Sequence, residues 1–330
     1  MNAIVILLFS IFLNIQPVLV ERAFYVMGTI IEFKLYCEDR ELCKKAISDA
    51  HSEVKRLDDM LSNYKADSKL TEVNSLAGTG KTRVPQEFFE LTGRSLFFSN
   101  LTGGVFDVTI GKLLELWRKA QQENTLPGAK TLGKTVSECI GFRRIQLYPE
   151  KSEIEIKSPC LSIDFGGIGK GYAIDRAVKI LKSKGIKSGI VNFGGEIYAI
   201  GAPPGKKGWL VGVKNPIKQE DVLTFIEVND IAVSTSGDYE RYFEIGGRRF
   251  SHIIDPRTGL PVDSVPSVTV IAENATDADA LSTAISVMGK DKSIEVLKGL
   301  DRVGVMIVTE EKNKHTIYKN ASFQGFEVAE

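Results

Sequence analysis

The spacing of apolar residues predicts helices mainly in the first part of the chain and strands mainly in the second. Apolar residues recur at the period of an amphipathic helix in segments 41–61, 88–98 and 276–288, and in a helix through Leu113 and Trp117. Apolar runs predict strands at 23–36, 190–193, 196–200, 209–214, 222–228, 242–245, 249–254 and 267–272. Residues 121–135 are predicted to form a surface loop. We therefore expect one α+β unit, with mixed or antiparallel sheets and packed helices.

Residues 161–176 contain the densest group of glycines in the sequence. Leu161, Ile163 and Phe165 alternate with polar residues, which predicts a half-buried strand. Four glycines follow between positions 166 and 171, with Lys170 among them, and a helical pattern begins at Tyr172. The backbone N–H groups of such a turn and the start of the helix attract anions, so phosphate is a candidate ligand.

This turn does not match the two common nucleotide-binding motifs. The first glycine position of a P-loop is occupied by Asp164 and its final Ser/Thr position by Gly171. The third glycine of a dinucleotide fingerprint that starts at Gly167 would fall on Tyr172. A tight turn whose glycines serve only packing explains the stretch equally well, so the spacing leaves both interpretations open.

The predicted helix 276–288 has a polar edge that suits a metal ion. Asp279 and Thr283 are four residues apart and face the same way. A carboxylate and a hydroxyl are oxygen ligands of the kind that Mg²⁺ takes, together with water and phosphate oxygens. The alternative is that Thr276-x-x-Asp279 is a capping box that only starts the helix, and spacing alone favours this cap.

His252 is one of three histidines, and it lies a few residues before the turn 255–259. Histidine is the side chain best suited to act as a general base near neutral pH. A lone histidine at the end of a strand is more often structural, so a catalytic and a structural role both remain open for His252.

Seven short motifs occur in an order that resembles the ApbE family, the FAD:protein FMN transferases. They lie at residues 27–29, 103–107, 164–175, 192–195, 234–239, 251–261 and 277–284. Each motif is weak alone, but their common order covers nearly all of the chain after its first 20 residues. The resemblance implies a T-fold-like ApbE architecture and Mg²⁺-dependent transfer of the FMN half of FAD onto a Ser or Thr hydroxyl of a target protein, with release of AMP.

The resemblance also implies a set of site residues. The metal ligands would be the side chains of Asp279 and Thr283 and a backbone carbonyl at Gly167, a position where the family often carries alanine or threonine. His252 would be the base for the acceptor hydroxyl. The implied FAD contacts are Met27, Tyr64, Val105, Phe106, Asp107, Asp164, Lys170, Ile254 and Asp255. The acceptor protein would carry a Ser/Thr-Gly-Ala-Thr-like motif.

Two other functions stay open at this point. The same site would cleave FAD to FMN and AMP if water were the acceptor, and an exported flavin-binding protein without turnover would bind FAD only. An aromatic residue at Tyr64, where the family's transferases carry one over the flavin or adenine region, favours transfer. The presence of Asp279, Thr283 and His252 argues against a non-catalytic protein.

The composition and the N-terminal segment indicate which partners the protein binds and where in the cell it is located. Lysine plus arginine and aspartate plus glutamate are balanced at 42 each, which argues against a large nucleic-acid-binding surface. The apolar run 3–13 is short for a membrane span and typical of a signal-peptide core. We expect residues 1–20 to be a signal peptide or N-terminal membrane segment, and 21–330 to be the transferase domain. The alternative is a buried N-terminal strand or helix.

The expected location is therefore the periplasm or the extracytoplasmic face of the inner membrane. Exported members of the family are often lipoproteins, and this chain departs from that pattern because no cysteine precedes Cys37. The four cysteines form no CxxC pair, which argues against a zinc site. A bridge between Cys37 and Cys43 and two plain buried thiols both remain open.

Overall fold

A computed structural model describes residues 16–218, 220–237, 242–263, 265–300, 302–311 and 314–328. Most of the predicted signal segment 1–20 lies outside these ranges, as do Asp238 and Tyr239 of the 234–239 motif. Residues 18–20 open the first strand. None of the helices in the described ranges combines the length and the hydrophobicity needed to cross a membrane.

The secondary structure of the described ranges alternates between helical and strand-rich regions. The helices are α1 (Arg40–Leu61), α2 (Lys69–Ser75), α3 (Gln86–Leu101), α4 (Gly111–Gln122), α5 (Ala129–Cys139), α6 (Gly169–Ser183), α7 (Ala275–Leu297) and α8 (Ala321–Gln324). The strands are β1 (Val18–Val26), β2 (Thr29–Cys37), β3 (Lys81–Arg83), β4 (Ile145–Tyr148), β5 (Glu153–Ile156), β6 (Gly189–Phe193), β7 (Glu196–Ile200), β8 (Trp209–Lys214), β9 (Val222–Val228), β10 (Ile231–Gly237), β11 (Tyr242–Ile245), β12 (Arg248–Ser251), β13 (Ser267–Ala272), β14 (Gly304–Glu311) and β15 (Lys314–Lys319).

A large antiparallel sheet organises the molecule. Within the described ranges it has eight strands in the order β1-β2-β6-β7-β10-β13-β14-β15. Helices α1, α6 and α7 pack on one face, where fully buried side chains such as Phe33, Phe193, Leu57 and Ile285 form the main core. The hairpin β8–β9 and helix α8 pack on the other face of its second half. The α+β prediction is confirmed.

A smaller apolar cluster joins helices α4 and α5 to the hairpin β11–β12. Trp117, Phe243 and Ile254 are buried in it. The indole N–H of Trp117 donates to the carbonyl of Gly259 at 2.8 Å, which ties the turn after β12 to α4. This contact fixes the place of the 251–261 motif in the fold.

Many predicted elements are confirmed, and in α1, β8, β9 and β11 the apolar period matches one buried face, whereas β13 is buried on both faces. Strands β8, β9, β11 and β13 begin and end where they were predicted, and the predicted helix 41–61 is α1. The predicted helix 276–288 is the first part of α7, which kinks at Gly289, where φ is +72°.

Three of the predicted segments are wrong. Segment 23–36 is a hairpin rather than one strand, because Met27 and Gly28 both take positive φ, 49° and 75°, and reverse the chain. Segment 121–135 is not all loop, since α5 begins at Ala129. Segment 161–165 is buried but not a strand; its one ladder contact is an isolated bridge between Ile110 and Ser162.

Two disulfides lie in the part of the chain that precedes the glycine turn. Cys37 bonds to Cys43, and Cys139 bonds to Cys160, with Cα–Cα distances of 6.1 and 4.9 Å. The first joins β2 to the start of α1, and the second joins the end of α5 to the segment before the turn. Of the two alternatives for Cys37 and Cys43, a disulfide or two free thiols, the structure therefore has the disulfide. The disulfide between Cys139 and Cys160 was not predicted.

Candidate active site

Residues 161–165, which lead into the glycine turn, are held mainly by hydrogen bonds to a distant side chain and not by a neighbouring strand. The Asn74 amide pairs with Ile163 in both directions: Ile163 N donates to Oδ1 at 2.7 Å, and Nδ2 donates to the Ile163 carbonyl at 2.9 Å. Asp164 N donates to the Val108 carbonyl at 2.7 Å. A side chain therefore satisfies backbone groups that a strand partner would otherwise satisfy.

Helices α6 and α7 cap each other at their first turns. The Gly171 N–H of α6 donates to Asp279 Oδ2 of α7 at 2.9 Å. In the other direction, the Asp175 carboxylate of α6 accepts from the N–H groups of Ala275 and Thr276 at 2.8 and 2.9 Å, and from the Thr276 hydroxyl. A carboxylate at a helix N-terminus is stabilised by the unpaired N–H groups there. Burial raises the pKa of the Asp175 carboxyl, and the hydrogen bonds from Thr276 and Ala275 oppose that rise.

This contact requires a glycine at position 171. A Cβ there would overlap the Ala275 carbonyl and lie 2.8 Å from the Cβ of Asp279. The two helices can approach this closely only because Gly171 has no side chain.

Asp279 does not cap its own helix. Helix α7 is capped by Asn274, whose side chain accepts from Asp277 N at 2.8 Å, and by Asp175. The prediction that Thr276-x-x-Asp279 is a capping box, which the spacing favoured, is therefore wrong. Asp279 is 2% exposed and faces the glycine turn.

The candidate metal ligands are oxygen atoms that meet beside this turn. The Thr283 hydroxyl lies 3.5 Å from the Gly167 carbonyl oxygen, and Asp279 is one helical turn before Thr283. Two ligands of one Mg²⁺ at right angles are about 3 Å apart, so this carbonyl and hydroxyl fit such an ion. The described residues include no group of three or more His, Cys, Asp or Glu side chains placed to hold a metal. The donor set is thus one carboxylate, one hydroxyl and one carbonyl, which leaves room for water or substrate oxygens.

Lys170 is paired with an acidic residue that the sequence reasoning missed. Its ammonium group forms an ion pair with Glu196, which is 3% exposed and opens β7. The pair brings a strand end of the large sheet to the first turn of α6. The sequence gives little indication of this ion pair, since its only sign is that Glu196 directly follows the Gly194-Gly195 turn.

Asp164 lies at the centre of a hydrogen-bonded cluster. Its Oδ1 accepts from Gly166 N at 2.7 Å, and its Oδ2 accepts from Asn63 Nδ2 at 2.7 Å. The Arg118 guanidinium is 3.6 Å from the same Oδ2 and also stacks over the ring of Tyr64, 4.9 Å from its centroid. Arg118 and Asn63 were not predicted, although Asn63 directly precedes Tyr64.

The residues Val105, Phe106 and Asp107 form a buried turn against the glycine turn. A Cβ on Gly167 would lie 3.0 Å from Thr283 Cγ2 and 3.3 Å from Phe106 Cε2, so the three residues are in close contact. The Asp107 carboxylate accepts from Thr109 N, from the Thr109 hydroxyl and from the backbone N–H of residue 142. Burial raises the pKa of Asp107, and these hydrogen bonds oppose the rise.

His252, Ile254 and Asp255 lie on the segment that follows β12. His252 is half-buried and Ile254 is buried against α4. The Asp255 carboxylate accepts from the backbone N–H and the guanidinium of Arg257, which makes it first a turn residue. Met27 sits at the tip of the hairpin β1–β2, at the end of the sheet where Thr29 contacts Gly194.

The model of the ApbE family matches residues 27–307. This chain belongs to the ApbE family. A relative in Treponema pallidum, named FAD:protein FMN transferase, is 31% identical over 308 residues, which cover 88% of this chain and 84% of the relative. A relative of the same name in Escherichia coli K12 is 30% identical over 279 residues, which cover 83% of this chain and 79% of that protein.

Solved structures of ApbE proteins agree with this fold. The ApbE protein from Thermotoga maritima has 32% sequence identity and a TM-score of 0.85, with 94% of this chain and 100% of that chain covered. The flavin transferase ApbE from Vibrio cholerae has 28% identity and a TM-score of 0.82, with 94% and 99% covered. The predicted ApbE-like architecture is confirmed.

The ApbE fold of this chain brings part of the predicted site set into direct contact. Gly167, Thr283 and Phe106 meet at the glycine turn, and Asp279 reaches the same turn through Gly171. The other predicted residues are placed by separate contacts of the fold. Their roles toward FAD and Mg²⁺ remain predictions.

We expect Gly171→Ala to destabilise the protein by about 1–3 kcal/mol, because the added methyl group must push α6 and α7 apart. Chemical denaturation followed by circular dichroism measures the change. Gly133→Ala is the matched control: position 133 is inside helix α5 and a Cβ there meets nothing within 4 Å, so we expect no loss and a gain of up to ~1 kcal/mol. Equal midpoints for Gly171→Ala and wild type would contradict the close-contact interpretation.

Proposed function

We propose that this protein transfers the FMN half of FAD onto a Ser or Thr hydroxyl of a target protein and releases AMP, in an Mg²⁺-dependent reaction. Membership of the ApbE family and relatives named FAD:protein FMN transferase support this reaction. The observation that carries the proposal is the oxygen set at the glycine turn, where the Thr283 hydroxyl faces the Gly167 carbonyl and Asp279 faces Gly171 N–H.

The reacting bond is the pyrophosphate of FAD, so the site must bind a strongly anionic group. Lys170 in the first turn of α6 carries a full positive charge, and the helix dipole adds a partial positive charge at the same end. The N–H groups of Gly169 and Gly171 in this turn already donate to the Phe165 carbonyl and to Asp279. Asp279, Thr283 and Gly167 would hold Mg²⁺, which neutralises pyrophosphate charge when bound. The ion pair with Glu196 keeps the Lys170 side chain beside the turn.

The acceptor hydroxyl is a poor nucleophile until it loses its proton. In the proposed reaction its oxygen forms a bond to the phosphorus of the FMN half, while the bond from that phosphorus to the oxygen shared with AMP breaks. His252 takes the hydroxyl proton, and AMP leaves with the electron pair of the broken bond. A positioned base of this kind contributes ~10²–10⁴-fold in rate. The loop position of His252, just after β12, lets a substrate protein approach it.

The reaction is tested with FAD, Mg²⁺ and a peptide that contains Ser-Gly-Ala-Thr or Thr-Gly-Ala-Thr. We expect covalent FMN on the peptide by mass spectrometry, with one AMP released per FMN, and loss of both on addition of EDTA. Asp279→Asn should also lose transfer, although its amide oxygen can still accept from Gly171 N and preserve the fold. Free FMN that forms equally without peptide would indicate a hydrolase, and unchanged FAD would indicate a binding protein.

We expect His252→Ala to lose transfer by about 10²–10⁴-fold and still bind FAD, because it removes the base and leaves the anion site intact. The rate of the wild type should rise with pH through the histidine range, since the base must be neutral. His315→Ala on β15 is the control and should keep the wild-type rate. Loss of FAD binding by His252→Ala would instead assign it a binding or structural role.

We also propose that the protein acts after export, either in the periplasm or, attached through its N-terminal segment, at the outer face of the inner membrane. The apolar run 3–13 and the two disulfides support this location, because disulfides persist mainly in oxidising compartments. Cell fractionation of the full-length chain tests it. Full-length protein in the cytoplasm with its N-terminal methionine retained would contradict the proposal.

A further inference from the structure

The side chain of Tyr64 is unusually exposed for an aromatic ring beside a binding site. It is 81% exposed, and it follows the C-terminus of α1 in the connection to α2. A ring with so little apolar packing keeps most of its rotamer freedom unless another group orders it. The Arg118 guanidinium supplies such a group, since it stacks 4.9 Å from the ring centroid.

Arg118 reaches Tyr64 from a different element and also lies beside Asp164. It projects from α4, which is anchored to the turn after β12 by the bond from Trp117 to Gly259. Its Nη2 atom lies 3.6 Å from Oδ2 of Asp164, a carboxylate that is 7% exposed. One guanidinium therefore contacts the exposed ring on one side and the buried carboxylate on the other.

These residues border a polar cavity next to the glycine turn. Its volume is about 300 Å³, and Asn63, Asn74, Arg118, Ser162 and Asp164 are among the residues that line it. Tyr64 follows the lining residue Asn63 in the chain, and the lining residue Arg118 lies over its ring, so we place the Tyr64 ring at the rim. Because the guanidinium stacks on one face of the phenol ring, its other face is the one available to a flat ligand.

We propose that Arg118 is a positioning residue for the flavin nucleotide: it fixes the Tyr64 ring at the rim of this cavity and links that ring to Asp164. The inference rests on the proposed function, because FAD is the ligand. The ligand chemistry is a flat aromatic ring system stacked on Tyr64. Arg118 acts through Tyr64, so its removal should weaken binding of FAD and leave the chemical step unchanged.

A double-mutant cycle on FAD binding tests this. The four proteins are wild type, Arg118→Met, Tyr64→Ala and the double variant, and the quenching of flavin fluorescence is titrated without Mg²⁺ and without acceptor so that no turnover occurs. The interaction energy of a cation over an exposed aromatic ring is small. We therefore expect Arg118→Met to weaken FAD binding more in the protein that has Tyr64 than in the Tyr64→Ala protein, and the two effects should differ by about two- to fivefold.

Two comparisons separate positioning from a general loss of structure. Lys81→Met is the control, because Lys81 also holds a cation over a tyrosine ring, that of Tyr148 at 3.7 Å, outside the cavity lining, and should leave FAD affinity unchanged. Arg118→Met should raise KM for FAD with kcat within twofold of wild type. Arg118→Lys keeps the charge and loses the planar stacking group, and should recover only part of the affinity.

The outcomes distinguish this inference from the proposed function. If wild type binds FAD and the two substitutions are simply additive, or if Arg118→Met lowers kcat without changing affinity, the positioning role is wrong and flavin transfer stands. If wild type does not bind FAD even when Mg²⁺ is added, the proposed function fails and the inference fails with it.

Discussion

The contact between the first turns of α6 and α7 determines the geometry of the candidate site. Gly171 lets the two helices approach, Asp279 accepts from its N–H, and Asp175 accepts from the first N–H groups of α7. The Gly167 carbonyl and the Thr283 hydroxyl lie side by side because this contact sets the spacing of the helices. The large sheet supports both helices on one face and keeps them in that register.

Four aspartates of the motifs hold the fold together by accepting hydrogen bonds from backbone N–H groups. Asp107, Asp164, Asp175 and Asp279 are each largely or wholly buried, and each accepts from backbone N–H groups of a turn or helix start. A carboxylate is a strong acceptor for such unpaired donors, so it joins loops that no sheet connects. Of these four, Asp279 also faces the oxygen set at the glycine turn. A single residue there serves both the packing of the helices and the proposed ion.

Local sequence patterns predicted the elements whose apolar period coincides with one buried face. Helix α1 and strands β8, β9 and β11 are of this kind. The patterns failed where long-range side-chain contacts decide the conformation. Segment 161–165 alternates apolar and polar residues like a strand. However, the backbone N–H and C=O of Ile163 form hydrogen bonds with the side-chain amide of the distant Asn74 and not with a neighbouring strand. Motif resemblance found residues of the glycine turn and α7, but not Glu196 and Arg118, which contact them, because these pairings exist only in three dimensions. Asp175 ends one of the motifs, but its hydrogen bonds to the start of α7 were not predicted.

The pairs that build the site are far apart along the chain, and this has a consequence for how the protein folds. Asn63 and Asp164 are 101 residues apart, Asp175 and Thr276 are 101 apart, and Gly171 and Asp279 are 108 apart. Contacts of such high sequence separation form late and slowly, because the loops between them must close first. A ribosome that adds roughly 5–20 residues per second would complete α7 several seconds after the glycine turn. Until then the chain contains the glycine turn without its partner helix, so the candidate site can form only after α7 has been made and has packed against α6.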